Sequence, residues 1–365
     1  MKKTATKVIP EAQGKTLLIA AGGTGGHITP GISIAEHWLE SGGNIILATL
    51  MKNIDYPDIV RLARNEKVTI VAYDAPRLTK NPLQLPAFFR RFRSAYKLVK
   101  QAATEEGANA VLGMGGYSSF PAVAYAILNR KPLFLCEQNA HWGMVTRFGK
   151  FFARRVFLSF SETTKLAGKF IVTGNPLRAM FGEKTSKQRG ASAKKQILFI
   201  GGSQGATDIN ALYLSFTASP AAAKFSCTVA AGPAGFAALK PQARKSDSIL
   251  PFIEDMPAAY LAADYIVARC GSGTLFEILW SQKPAFLLPY PFAAADHQRA
   301  NAEAMKPQMP CVIFDERPFD KQKALQAFVA FLQTPPQNAA VQPETRAENQ
   351  ISRYIIQSLN HVAQA

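Results

Sequence analysis

Short apolar runs alternate with stretches of helical period along most of the chain. In the first half the runs fall at 16–21, 44–49, 67–73, 109–112, 132–136, 155–158 and 170–173. A second series falls at 196–200, 225–230, 264–268, 284–288 and 310–314. Helices are predicted between them, at 30–41, 86–106 and 119–129 among others, and a last one at about 345–363. This alternation is the signature of parallel α/β construction. Each series opens with a strand running into a glycine loop: Gly22-Gly23-Thr24-Gly25-Gly26-His27 after the first strand, and Gly201-Gly202-Ser203-Gln204-Gly205 after Gln196–Ile200. The expected fold is therefore α/β, with two Rossmann-like parallel-sheet domains facing across a cleft and ligands at the carboxyl ends of the strands. The turn-rich Thr173-Gly174-Asn175-Pro176 marks the join. It divides the chain into an N-terminal domain at 1–174 and a C-terminal domain at 175–344, with the last helix able to pack back on either domain.

Composition narrows the class. With 365 residues, 48% of them hydrophobic and 18% charged, two globular domains fit and wholesale disorder is excluded. The formal net charge of +17 attracts nucleic acid, anionic membranes or phosphorylated substrates without choosing among them. No RNA- or DNA-binding motif accompanies the basic residues, so nucleic acid is not expected as a partner. Four widely spaced cysteines with no C-x-x-C pattern argue against zinc and disulfide scaffolds and fit a reducing compartment. The basic Met-Lys-Lys-Thr start is followed by too short an apolar run for a signal peptide, and that run reads as the first strand. No segment approaches the roughly 18 uninterrupted apolar residues of a spanning helix, so any membrane contact is expected to be peripheral.

The first glycine loop lets the backbone approach a ligand and offers helix N-terminal N–H groups to a diphosphate, with His27 beside it as a titratable base. It is not a dinucleotide fingerprint, because Ile28 stands where the third glycine is needed. Nor is Gly14-Lys15-Thr16 a Walker ending, because Lys15 precedes the strand and Ile9 replaces the first glycine. A further loop, Gly113-Met114-Gly115-Gly116-Tyr117, again follows a strand. Three such loops indicate more than one phosphate-bearing ligand. In the second series, Arg269-Cys270-Gly271-Ser272-Gly273-Thr274 opens a helix whose N–H groups suit a diphosphate. Glu277, about one turn in, suits ribose hydroxyls or a helix cap. Asp296-His297-Gln298 with Asn301 offers amides and a carboxylate to a sugar. Along 88–100, Phe88, Phe92, Ala95 and Val99 share one stripe, opposite Arg90, Arg93, Lys97 and Lys100. This describes a sheet-covering helix with a solvated basic face. With Leu83, Leu85 and Phe89 added, it also describes an apolar lip for an anionic membrane, where each flanking cation adds about 1 kcal/mol.

Taken together, the motifs resemble those of the MurG family of inverting GT-B glycosyltransferases. The matching residues are Gly22–His27 with Thr29-Pro30-Gly31, Gly113–Tyr117, Glu137-Gln138-Asn139, Thr173–Pro176 with Arg178, Gly201–Ala206, Arg269–Glu277 and Asp296-His297-Gln298 with Asn301. They occur in the family's order and cover nearly the whole chain. The resemblance implies transfer of N-acetylglucosamine from its UDP donor to undecaprenyl-linked lipid I, at the cytoplasmic face of the bacterial plasma membrane. It implies no cofactor and no metal, with other cell-wall synthesis proteins as further partners. Residue by residue, it implies Arg178, Ser203 and Ile253 around the uracil and phosphates, Ser272, Gly273 and Thr274 on the diphosphate, and Glu277 on the ribose. Thr24, Gly25, Gly26, Asn139 and Gln298 would lie by the transferred sugar, and Gly115, Gly116 and Tyr117 by the acceptor diphosphate. Leu85, Phe88, Phe89 and Phe92 would contact the membrane. His27 is the implied general base and Glu137 its rival. Two departures stand out: Cys270, Ser272 and Gly273 fall where members vary, and His141-Trp142-Gly143 replaces the usual small residues. Rival readings are a transferase acting on a diacylglycerol lipid, a UDP-N-acetylglucosamine epimerase, and an inactive membrane-bound scaffold.

Overall fold

Leu17 to Ala21 are all fully buried, and alternate residues of this strand enter two different cores. The strand period of two explains this, because a strand in mid-sheet sends successive side chains to opposite faces. Leu17 and Ile19 join Ile45, Leu47, Leu112 and Phe134 beneath one helical layer. Leu18 and Ala20 join Ile46, Val111, Leu135 and Val156 beneath the other. The computed structural model that shows this describes residues 12–75, 81–161, 168–182, 194–202, 205–337 and 346–363. Within the chain two compact units separate, 1–179 with 343–365, and 180–342.

In unit 1 the elements run β1 (Thr16–Ala20), α1 (Gly25–Glu40), β2 (Asn44–Leu50), α2 (Pro57–Leu62), β3 (Val68–Tyr73), α3 (Leu85–Glu105), β4 (Ala110–Gly113), α4 (Phe120–Leu128), β5 (Leu133–Glu137), α5 (Met144–Gly149), β6 (Arg155–Leu158) and β7 (Phe170–Val172). Unit 2 follows with β8 (Lys195–Ile200), α6 (Thr207–Thr217), β9 (Phe225–Ala230), α7 (Gly232–Leu239), β10 (Ser248–Leu250), α8 (Met256–Ala262), β11 (Tyr265–Ala268), α9 (Ser272–Ser281), β12 (Ala285–Leu287), α10 (His297–Met305), β13 (Cys311–Ile313) and α11 (Lys321–Gln333). The last helix, α12 (Ala347–Ala363), belongs to unit 1, where Ile351, Ile355 and Ile356 enter the core beside Ile28, Ile32 and Trp38 of α1.

Both sheets are wholly parallel among the described strands. Their orders are β3-β2-β1-β4-β5-β6-β7 and β10-β9-β8-β11-β12-β13. Each sheet therefore has a switch point where the chain reverses its direction of winding, between β1 and β4 in one and between β8 and β11 in the other. The core of unit 2 is aromatic: Phe199, Tyr213, Phe216, Phe286 and Phe328 are fully buried around one helical layer.

Two local expectations change. The first helix starts at Gly25, five residues before Pro30, so Gly25, Gly26 and His27 form its first turn behind the N-cap Thr24. Glycines there cost helix propensity, and the turn is closed by the His27 N–H to Thr24 O at 3.1 Å. The strand β10 is not among the runs expected from the sequence. The four cysteines are unpaired and buried. Burial pushes the thiols of Cys136 and Cys227 up to about 12 and that of Cys311 to about 11, so they pack as small apolar groups. Among the described residues no helix is long and apolar enough to cross a membrane.

Candidate active site

The pairing of β1 with β4, Ala20 opposite Gly113, sets the loops after these two strands side by side. Thr24 Oγ1 lies 3.2 Å from His27 Nδ1, and Asn53 Oδ1 accepts the Gly23 N–H at 2.9 Å, which fixes the start of the first loop. The His27 imidazole, half-buried, stands over the turn made by Gly115 and Gly116, whose φ values are 84° and 68°. A methyl on Gly116 would lie 3.3 Å from His27 Cε1, so the residue is glycine both for its left-handed backbone and for the ring above it. Tyr117 then opens a short 3-10 turn, and its ring packs towards Gly23.

The next strand, β5, pairs with β4 and ends at Glu137, so the Glu137-Gln138-Asn139 segment joins the same edge. Glu137 is buried. Its Oε2 accepts the Gly143 N–H at 2.8 Å and its Oε1 accepts the Asn139 N–H at 3.2 Å. Burial raises its carboxyl above the usual range, with the hydrogen bonds opposing. Both oxygens are thus engaged in holding the 137–143 loop, the one that carries Asn139. Gln138, part of the Glu137-Gln138-Asn139 match but given no role by it, is 1% exposed and donates from Nε2 to Cys136 O at 3.2 Å. Its Oε1 is buried with no hydrogen-bond partner, close to Gly115 and hence to the histidine ring.

In unit 2 the pairing of Ile200 with Ala268 likewise sets the loop after β8 beside the loop after β11. The turn after β8 is closed by Gly205 N–H to Gly202 O at 3.0 Å. Ser203 and Gln204 lie outside the described residues. The helix α9 is capped by Gly271, and its first internal bond runs from Leu275 N–H to Gly271 O. The N–H groups of Ser272, Gly273 and Thr274 therefore lie outside the helical ladder, where the positive end of the helix dipole adds to them. A Cβ at Gly273 would meet nothing within 4 Å, so this face is open. Glu277 is the sixth residue of α9, beyond the capping-box position, and Tyr260 donates its phenol to Glu277 Oε2 at 3.0 Å.

Gln298 and Asn301 both serve the same loop. Gln298 Oε1 accepts the N–H groups of Cys270 and Tyr290, each at 3.0 Å. Asn301 is fully buried and donates to Cys270 O at 3.3 Å. Arg269, absent from the residues assigned by motif, ties three segments together. It donates to Leu288 O and Pro289 O at 3.2 Å and pairs with Asp208 at 2.7 Å. Ile253 is 7% exposed on the approach to α8. Arg178 lies in unit 1, with its carbonyl accepting from Arg346 at 3.1 Å. Among the described residues no cluster of three or more His, Cys, Asp or Glu side chains is placed to hold a metal ion.

The sequence matches two family models in tandem: the glycosyltransferase family 28 N-terminal domain over residues 17–158 and its C-terminal domain over 196–358. It is 32% identical over 322 residues to the UDP-N-acetylglucosamine--N-acetylmuramyl-(pentapeptide) pyrophosphoryl-undecaprenol N-acetylglucosamine transferase of Leptospira interrogans, covering 84% of this chain and 87% of the relative. The protein of the same description from Geotalea uraniireducens is 34% identical over 310 residues, 79% of this chain and 82% of that one. Among solved structures, Acinetobacter baumannii MurG superposes with a TM-score of 0.71 at 22% identity, covering 95% of this chain and 99% of that one. The UDP-GlcNAc 2-epimerase of Neisseria meningitidis shares the fold at a TM-score of 0.59 and 11% identity, with 95% of this chain and 100% of that one covered.

Proposed function

The chain belongs to glycosyltransferase family 28, and from that premise we propose that it transfers N-acetylglucosamine from UDP-N-acetylglucosamine to the C4 hydroxyl of undecaprenyl-diphosphate-linked N-acetylmuramoyl-pentapeptide, with inversion at the anomeric carbon. The observation that carries the mechanism is the placing of the His27 ring over the Gly115–Gly116 turn. With Tyr117, that turn takes the acceptor diphosphate, which brings the muramoyl sugar to the histidine. His27 removes the C4 proton as the oxygen forms its bond to C1 of the donor sugar. The bond from C1 to the UDP oxygen breaks in the same step, and the departing diphosphate gains the charge. The N–H groups of Ser272, Gly273 and Thr274 on α9 receive it, a role that preorganised donors fill without reorganisation.

We assign Glu277 to the ribose, and Ile253, Ser203 and Arg178 to the uracil and phosphates. To the transferred sugar we assign Thr24, Gly25, Gly26 and Asn139 of unit 1, and Gln298 of unit 2. Glu137 acts as a positioning residue, because a carboxylate that already accepts two backbone N–H groups is poorly placed to take a proton from substrate. The direct test incubates the protein with radiolabelled UDP-N-acetylglucosamine and a short-chain lipid I analogue, beside a diacylglycerol control. Labelled disaccharide on the lipid I analogue alone is expected. Tight UDP binding with no labelled disaccharide sinks the assignment.

Membrane contact is assigned to α3. Leu83, Leu85 and Phe89 are exposed beside exposed Arg90, Arg91 and Arg93, whereas Ala95 and Val99 face the core. Phe88 and Phe92 turn partly inward: they stack at 6.3 Å, and Phe92 lies 5.1 Å from Phe120. The exposed trio, not the stacked pair, is therefore the set to change. Leu83, Leu85 and Phe89 replaced by Ser should float poorly with phosphatidylglycerol vesicles while unfolding at the wild-type temperature. Unchanged flotation returns α3 to a plain sheet-covering role.

A further inference from the structure

Tyr260 has no part in the family resemblance, yet its geometry joins it to the nucleotide side of unit 2. It sits on α8, fully buried, and its hydroxyl donates to Glu277 Oε2 on α9 at 3.0 Å. The ring is held as well. Phe181 packs against it with centroids 6.0 Å apart, Phe181 in turn stands edge-on to Trp280 at 5.1 Å, and Trp280 Nε1 donates to Gly182 O at 3.3 Å. The phenol is therefore a fixed donor aimed at a half-buried carboxylate, not a swinging side chain.

We infer that Tyr260 is a positioning residue that orients Glu277 for the ribose, so that selection of a ribonucleotide over a deoxyribonucleotide depends on the tyrosine hydroxyl. This rests on the reading of Glu277 as the ribose ligand. A carboxylate has about four lone-pair directions. The phenol takes one of them on Oε2 at 3.0 Å, and in the proposed complex the two vicinal ribose hydroxyls donate to others. Charge-assisted bonds of this kind are the stronger class, and their worth depends on the acceptor being held in place before the ligand arrives. Without the phenol the carboxylate loses one of its fixed partners, and the ligand bears the added cost of ordering it.

The test measures binding of UDP and of 2′,3′-dideoxy-UDP by calorimetry to the wild type, Tyr260→Phe and Glu277→Gln, with donor kinetics for each. Phenylalanine keeps the ring and its packing on Phe181. The wild type is expected to favour UDP by about tenfold or more, from two hydrogen bonds to a charged group. Tyr260→Phe should reduce that preference by roughly fivefold and raise the donor KM with kcat unchanged, at an unfolding temperature near that of the wild type. A Tyr260→Phe protein that keeps the full preference overturns the proposal, and a fall in unfolding temperature alone marks Tyr260 as a packing residue. If Glu277→Gln keeps the preference, the ribose reading of Glu277 falls and the inference falls with it. If Glu277→Gln loses the preference and Tyr260→Phe keeps it, only the role of Tyr260 is lost.

Discussion

His27→Ala should lower kcat by about 10²–10⁴-fold, the range a positioned general base contributes, and leave UDP affinity unchanged. The split follows from where the residue sits. His27 lies in unit 1, on the first turn of α1, whereas Glu277, Ser272, Gly273 and Thr274 lie in unit 2. Removing the imidazole takes away the proton acceptor without touching a residue assigned to the nucleotide. Calorimetric UDP binding and steady-state turnover on the same preparation check both. Near-wild-type turnover in His27→Ala removes it from the base role. Glu137→Gln is then the next variant to assay, although the two backbone N–H groups on its carboxylate argue for a loop-holding role instead.

Gly205→Ala should destabilise the protein by about 3 kcal/mol or more, while Gly202→Ala in the same turn should cost only about 1 kcal/mol. The two glycines have nearly equal φ values, 78° and 80°, so the left-handed backbone strain of a Cβ is common to both. They differ in surroundings. A Cβ on Gly205 would stand 2.2 Å from the Ala231 carbonyl oxygen, an overlap that only a backbone shift can relieve, whereas one on Gly202 would meet nothing within 4 Å. Because that shift moves the loop between β8 and α6, UDP affinity should fall with stability in Gly205→Ala. Urea midpoints for the two variants provide the comparison. Equal midpoints would mean that strain alone, and not the approach to Ala231, sets the need for glycine.

Reading of the chain succeeded where the physics is local. The β1 run Thr16–Ala20 is buried on both faces and is legible as an apolar run for that reason. The glycine loops that follow β1, β4 and β8 are legible because few other sequences satisfy such turns. The start of α1 was misplaced, because glycines read as loop until the N-cap geometry of Thr24 is seen. Side-chain roles were the least legible. Gln298 reads as a sugar ligand, yet its oxygen is committed to the N–H groups of Cys270 and Tyr290. Glu137 reads as a base, yet it holds a loop. Tyr260 lies 17 residues from Glu277 and carries no signal of its connection to it.

The sequence by itself determined the α/β class, the parallel strands and the loops at their carboxyl ends, since periodicity and turn chemistry are set by each residue and its near neighbours. Only the tertiary structure decided which loops meet. β1 lies beside β4 and not β3, and β8 beside β11 and not β10, because the crossovers carry the chain back to the first strand of each sheet. That reversal sets His27 over Gly116 and the α9 N-terminus beside the β8 loop. It also decided which polar groups remain available to a ligand, because hydrogen bonds to distant backbone amides are made only after the strands have found their order.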